Sequence, residues 1–229
     1  MAYMNNYNYE FIRTPIFEAS ELFHRTVGEG TDIVTKETYD FKDRGDRDIT
    51  LRPEGTAGVV RSLIENKLYG NRNDSIKLYY NGTMYRYERP QAGRYREFIQ
   101  FGVEVFNSND VMSDAEVISL GYYFLSDLGL DITVKINSLG DAQSRVDYTN
   151  ALVDYFKLHI NELCSDCQKR LETNPLRIID CKVDKDKDII KNAPNISGYL
   201  SQESKDRFEK LKSYLNFLEI NYEVDESIV

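Results

Sequence analysis

Hydrophobic and polar positions alternate with period two over two adjoining stretches, "SIKLYYNGTMYRYE" (Ser75 to Glu88) and "EFIQFGVEVF" (Glu97 to Phe106), and the alternation predicts two strands of a hairpin. Arg86 and Glu88 then fall on one face, with Tyr85 and Tyr87 on the other. On the second arm Gln100, Gly102 and Glu104 share a face opposite Phe101, Val103 and Val105. Further strands are predicted over Tyr9 to Glu18, where Pro15 marks an edge or a bend, over "ITVKINSLGD" and over "INYEVDESIV". Between the strands the period changes. Val59, Val60, Leu63 and Ile64 make one helical face behind Thr56 as an N-cap. "SDAEVISLGYYFLSDLGL" opens on a capping box of Ser113 with Glu116, and Gly129 is placed to close the helix. From about Asp141 helices dominate, over "AQSRVDYTNALVDYFKLHINEL" and "SQESKDRFEKLKSYLNFL", where Phe208, Leu211, Leu215 and Leu218 form a stripe.

The order lacks a regular strand–helix–strand rhythm, so the expected fold class is α+β, with a mostly antiparallel or mixed sheet flanked by helices. The expected division is a sheet domain over residues 1–140, a small helical unit over 141–220, and a strand over 221–229 returning to the sheet.

Charge and composition narrow the function classes. The 229 residues carry a formal net charge of -9, whereas a nonspecific DNA binder gains affinity from a basic surface. Apolar runs such as "AGVV" fall far short of the roughly 20 residues of a membrane span, and the chain opens without a charged, signal-like start. Three cysteines, an odd number, suit a reducing compartment, and a cytoplasmic location is expected. Their pattern with His159, H-x4-C-x2-C-x13-C through Cys164, Cys167 and Cys181, resembles a zinc site, but it holds only one tight pair and His159 falls inside a predicted helix. Ordinary thiols without stoichiometric metal are therefore expected. The run "DKDKD" from Asp184 reads as a solvated helix start.

Within the hairpin, the connection "RPQAGRYR" carries Arg89, Arg94 and Arg96 around Gly93, a loop able to close over an anion through guanidinium forks. Gly102, without a side chain, is expected to leave room for a flat ligand against the backbone. A half-solvated hairpin with salt-bridged charges would show the same alternation. Neither a G-x-x-x-x-G-K-[ST] loop nor a complete G-x-G-x-x-G motif is present to name a nucleotide.

"YRYERPQAGRYREFIQFGVEVF" closely resembles motif 2 of the class II aminoacyl-tRNA synthetases, in the version found in histidyl-tRNA synthetases. "EFIRTPIFE" resembles the motif 1 strand, "LRPEGTAGVVRS" the histidine-binding segment, and "CSDCQKRLETNPLRIIDCK" the helical insertion domain. The resemblance implies a class II synthetase sheet, incomplete, that activates L-histidine with ATP and Mg²⁺ and passes it to histidine tRNA. It implies that Arg86 is catalytic, binding the α-phosphate and the substrate carboxylate, while Glu88 contacts adenine, Arg94 reaches the outer phosphates and Arg96 also binds ATP. Glu54, Gly55, Thr56 and Gln100 would hold the amino-acid end of histidine, and Glu104 would receive its imidazole. No metal ligand, membrane or DNA is implied, and a homodimer is. Motif 3, the anticodon-binding domain and part of the site would lie beyond Val229, so the chain alone is expected to be inactive. A regulatory paralogue of histidine biosynthesis and an inactive RNA-binding fragment are the other readings.

Overall fold

The structure, a computed structural model, describes residues 2–26, 37–70, 74–89, 91–185 and 187–228. Pro90 in the arginine-bearing loop and Asp186 in the acidic run lie outside them. Contacts divide the chain into two compact units, Met1–Asn109 and Asp110–Val229.

The first unit contains α1 (Ala2–Asn6), β1 (Glu10–Phe11), β2 (Phe17–Ala19), α2 (Ser20–Thr26), β3 (Tyr39–Lys42), β4 (Asp48–Leu51), α3 (Thr56–Glu65), β5 (Ile76–Tyr85) and β6 (Glu97–Phe106). The predicted strand around Pro15 is two short strands with the proline in the break, since proline fixes φ and cannot donate to a ladder. One sheet has the order β1-β5-β6, with β1 parallel to β5 and the hairpin antiparallel. The other has the order β2-β4-β3 and is antiparallel throughout.

The hairpin pairs all ten residues of each arm, with Leu78 opposite Glu104, Tyr80 opposite Gly102, Gly82 opposite Gln100 and Met84 opposite Phe98. Strand parity therefore places Leu78, Tyr80 and Met84 on the same face as Gln100, Gly102 and Glu104. That face is the inner one. Leu78, Tyr80 and Met84 are buried with Val59 and Leu63 of α3, and Phe98 and Phe106 pack against them. Each aliphatic side chain buried in this way stabilises the fold by about 1.5–3 kcal/mol. The expected polar face is thus a core face with polar groups set into it, while Ile99 of the opposite face is 75% exposed.

The second unit contains α4 (Val111–Asp127), β7 (Val134–Ile136), α5 (Ala142–Leu158), α6 (Ser165–Thr173), α7 (Leu176–Ile179), α8 (Asp188–Lys191), α9 (Gln202–Phe217) and β8 (Tyr222–Val224). Its boundary falls at 109/110, where the sequence reading drew 140. The physical reason is that α4 packs on α9 and β7 pairs in parallel with β8, so both stay with the helical part. Two cores result. Leu215, Ile136 and Ile220 gather Phe208, Leu211 and Leu218 of the predicted stripe with Tyr122 and Tyr123 of α4. The second core, from Tyr148 to Ile196, includes Leu152, Phe156, Cys167, Ile178 and Cys181.

Three end assignments differ from the sequence reading. α4 begins before Ser113, capped by Asp110, which accepts from the Met112 N–H; Gly129 does follow its end, at φ +79°. α3 is capped from Gly55, not from the Thr56 side chain. Asp184, read as solvated, is fully buried. Asp141 caps α5 by accepting from the Ser144 N–H at 2.8 Å, and it also accepts from the hydroxyl of Ser201, the cap of α9, at 2.5 Å.

Candidate active site

The candidate site is assembled where the turn between β4 and α3 meets the inner face of the hairpin. Arg52 anchors this turn. Its guanidinium is buried, donates to the Thr83 and Thr14 carbonyls at 2.8 and 2.9 Å, and lies where a side chain on Gly82 would stand. The Arg52 carbonyl accepts from the Tyr85 N–H, and the Pro53 carbonyl accepts from Nε of Arg86 at 2.9 Å. The turn is thereby held in register with β5.

Glu54 sits at the start of α3, and its carboxylate accepts from the Thr56 and Ala57 N–H groups. This is an anion on the positive end of a helix. Thr56 points its hydroxyl away from that cap and donates to Glu104 at 2.6 Å. Burial raises Glu104 above the ordinary carboxyl range; the Thr56 hydrogen bond opposes the rise and the Glu54 charge adds to it. Gln100, one inward position along β6, has a buried side-chain carbonyl with no hydrogen-bond partner among the described residues. Such a group loses the hydration it would have in the unfolded chain.

The space over Gly102 is not open. A Cβ on Gly102 or on Gly55 would stand 2.3 Å from the Tyr80 ring, so the two glycines make room for that ring, and the expected niche for a flat ligand belongs to Tyr80. Burial raises the Tyr80 phenol above its usual range, and the neighbouring Thr56 hydroxyl opposes the rise. Sequence reasoning missed Tyr80. Its position directly across the ladder from Gly102 was the available signal.

On the other side of the turn, the Arg86 guanidinium lies 5.1 Å from the Phe98 ring centroid. Beyond the hairpin, Arg94 pairs with Glu88 at 3.2 Å, and Arg96 donates to the Glu88 carbonyl while lying 4.2 Å from the Tyr87 ring. Gly93 turns this loop at φ +79°. The structure brings Glu54, Gly55, Thr56 and Glu104 together, places Gln100 on the same face, and ties Arg86 to the turn. Glu88, Arg94 and Arg96 form a separate cluster at the loop; Arg89 is exposed.

The thiols have a different setting. Cys164, Cys167, Cys181 and Asp184 hold their donor atoms within 4.8 Å of one another. His159 is elsewhere, at the end of α5, paired with Glu162 and packed on Tyr155.

The hairpin with arginines on its loop and acceptors on its inner face, beside a capped helix start, belongs to a fold shared with a solved histidyl-tRNA synthetase, a class II aminoacyl-tRNA synthetase. The family model described as histidyl-tRNA synthetase matches residues 1–147. A histidine–tRNA ligase from Geobacillus sp. (strain WCH70) is 58% identical over 224 residues, 97% of this chain and 53% of the relative. One from Staphylococcus aureus (strain JH9) is 56% identical over 227 residues, 99% of this chain and 54% of the relative. The crystal structure of apo S. aureus histidyl-tRNA synthetase superposes with a TM-score of 0.78 at 46% identity, covering all of this chain and 51% of that one. The chain belongs to the histidyl-tRNA synthetase family, and it spans about half the length of the curated relatives it matches.

Proposed function

We propose that this chain supplies the amino-acid-activating part of a histidine–tRNA ligase. The observation that carries the reading is the set of acceptors on the inner face of the hairpin and at the helix start beside it: Glu54, Glu104 and the Gln100 carbonyl, which has no partner among the described residues. Acceptors in such a place fit a ligand that brings donors at both ends, and histidine brings an α-ammonium and an imidazole N–H. Glu104 is the imidazole acceptor, while Gln100, Thr56 and Glu54 serve the ammonium, with Gly55 making room for the Tyr80 ring beside them.

Arg86 is the catalytic residue. Held by the Pro53 carbonyl, it neutralises charge where the histidine carboxylate oxygen attacks the α-phosphorus of ATP and pyrophosphate leaves. Positioning and charge neutralisation suffice for this step, without a protein nucleophile. Glu88 accepts from the adenine amino group, and Arg94 and Arg96 bind the outer phosphates. Arg94 must exchange its Glu88 partner for phosphate, which an exposed ion pair allows at little cost. Mg²⁺ bound to the triphosphate would supply further charge neutralisation there. The 3′-terminal hydroxyl of histidine tRNA then attacks the acyl carbon and AMP leaves. Three free cysteines fit a cytoplasmic location, and a homodimer is the proposed assembly.

Histidine-dependent exchange of pyrophosphate into ATP tests the reading, measured on this chain and on a chain extended to the full length of the relatives. Exchange is expected from the extended chain, with only weak ligand binding by this one. Arg86→Ala in the extended chain should lower the rate by about 10²–10³. Exchange that continues unchanged in that variant refutes the role.

A further inference from the structure

We propose that Cys164, Cys167, Cys181 and Asp184 form a binding site for one Zn²⁺ ion that staples the short helices of the second unit. The expectation of no metal rested on His159 as the fourth partner and on a single tight cysteine pair. Folding supplies a different fourth group. Cys164 caps α6 and Cys167 lies in its first turn, while the chain beyond α7 turns back to bring Cys181 and Asp184 to the same place.

The geometry suits a tetrahedral ion. Cys164 Sγ and Cys181 Sγ are 3.8 Å apart. With metal–sulfur bonds of about 2.3 Å, the sulfurs of a tetrahedral site stand about 3.8 Å apart. All four donors lie within 4.8 Å of one another, so small side-chain rotations bring them onto a common centre. Three soft sulfurs with one carboxylate favour zinc over Mg²⁺ or Ca²⁺, which take oxygen ligands.

The surroundings are those of a site rather than of plain core packing. Cys167, Cys181 and Asp184 are 0%, 3% and 0% exposed. A carboxylate buried among thiols needs hydrogen bonds and a counter-charge. Asp184 has both kinds of support: the Cys164 N–H donates to Oδ2, and the Lys187 ammonium lies 2.8 Å from Oδ1. Groups of this kind orient metal ligands from behind. The Lys187 ammonium and the positive end of α6 also offset the excess negative charge of three thiolates and a carboxylate around a dication. On binding, the three thiols release their protons to solvent and no electron transfer is involved.

There is also a mechanical need. α7 has four residues, far below the length at which an isolated helix holds together. A single ion joining Cys164 and Cys167 to Cys181 and Asp184 closes this region with one cross-link.

The test is elemental analysis of the chain expressed with zinc and purified under reducing conditions, with about one zinc per chain expected. Cys181→Ser and Asp184→Asn should each lose the metal, and His159→Ala should keep it. Because the variants can fail by misfolding, apo wild-type chain is also titrated with Co²⁺. Thiolate-to-cobalt charge-transfer bands and the intense d–d bands of tetrahedral cobalt are expected to saturate at one equivalent and to be reversed by Zn²⁺. Metal-free protein without those bands, a Cys164–Cys181 disulfide in reduced material, or zinc retained in full by Asp184→Asn would each overturn the site as stated.

Discussion

Glu104 is half-buried and near the Glu54 carboxylate, so its ionised form is disfavoured in the folded chain except for what the Thr56 hydroxyl returns. An acid whose folded pKa lies above its unfolded value stabilises the fold most below the unfolded value, here 4.5, and that stability falls as pH rises through the folded value. Glu104→Gln should therefore raise the melting temperature near pH 7, with the gain shrinking near pH 4, in paired thermal scans. The same substitution should abolish histidine binding and leave ATP binding, because a site built to pair a polar ring can discriminate by about 10⁴–10⁵. Calorimetric titrations showing equal losses for both ligands would remove Glu104 from the imidazole role. The polar residues here were legible in the sequence because alternation put Gln100 and Glu104 on one face. Their depth was not, since the residues that bury that face, Val59 and Leu63, come from α3. Tyr80 escaped for a related reason: the gap at Gly102 reads as empty until the partner across the ladder is known.

Helix ends carry the second lesson. Periodicity located α3, α4, α5 and α9, but the caps are local carboxylates just before the predicted starts: Glu54 serves α3 and Asp110 serves α4. β3 was missed, being four residues long and mostly exposed. The acidic run at 184–188 was read as solvated because two of the thiols that surround Asp184, Cys164 and Cys167, come from the start of α6. Asp141, the cap of α5, draws its partners from two helix starts. The Ser144 N–H, followed by the Ser201 and Ser144 hydroxyls, lowers its carboxyl from 3.8 to about 2. A lowered acid contributes stability above its unfolded value, and that contribution is lost as pH falls through the folded one. Wild-type chain should thus be more stable than Asp141→Asn at neutral pH, and the difference should vanish as pH drops from about 4 to about 2. Circular dichroism during acid titration reads it directly; a constant gap throughout would mean that charge is not what Asp141 supplies.

Across the whole molecule, unit by unit, burial is uneven. The outer face of the hairpin shows Ile99 at 75% exposure with Phe101 and Phe11 also exposed, and no strand among those described pairs beyond β6. An open edge beside apolar surface favours association with another copy. Ile99→Lys should shift sedimentation toward monomer while leaving the far-UV spectrum intact; an unchanged profile would place any association elsewhere. In the second unit, the meeting of Asp141 with Ser201 has a topological meaning. The core that contains Cys167 and Phe156 lies wholly between these two residues, and the core of α4, α9, β7 and β8 lies wholly outside them. The sixty-residue interval is therefore a closed excursion whose ends are already joined. Insertions within it need not move β7 relative to β8, because loop-closure entropy grows only slowly with loop length. Natural variation in length can accumulate there, and a shorter chain could bridge the two capping residues without disturbing the layer from which the excursion departs.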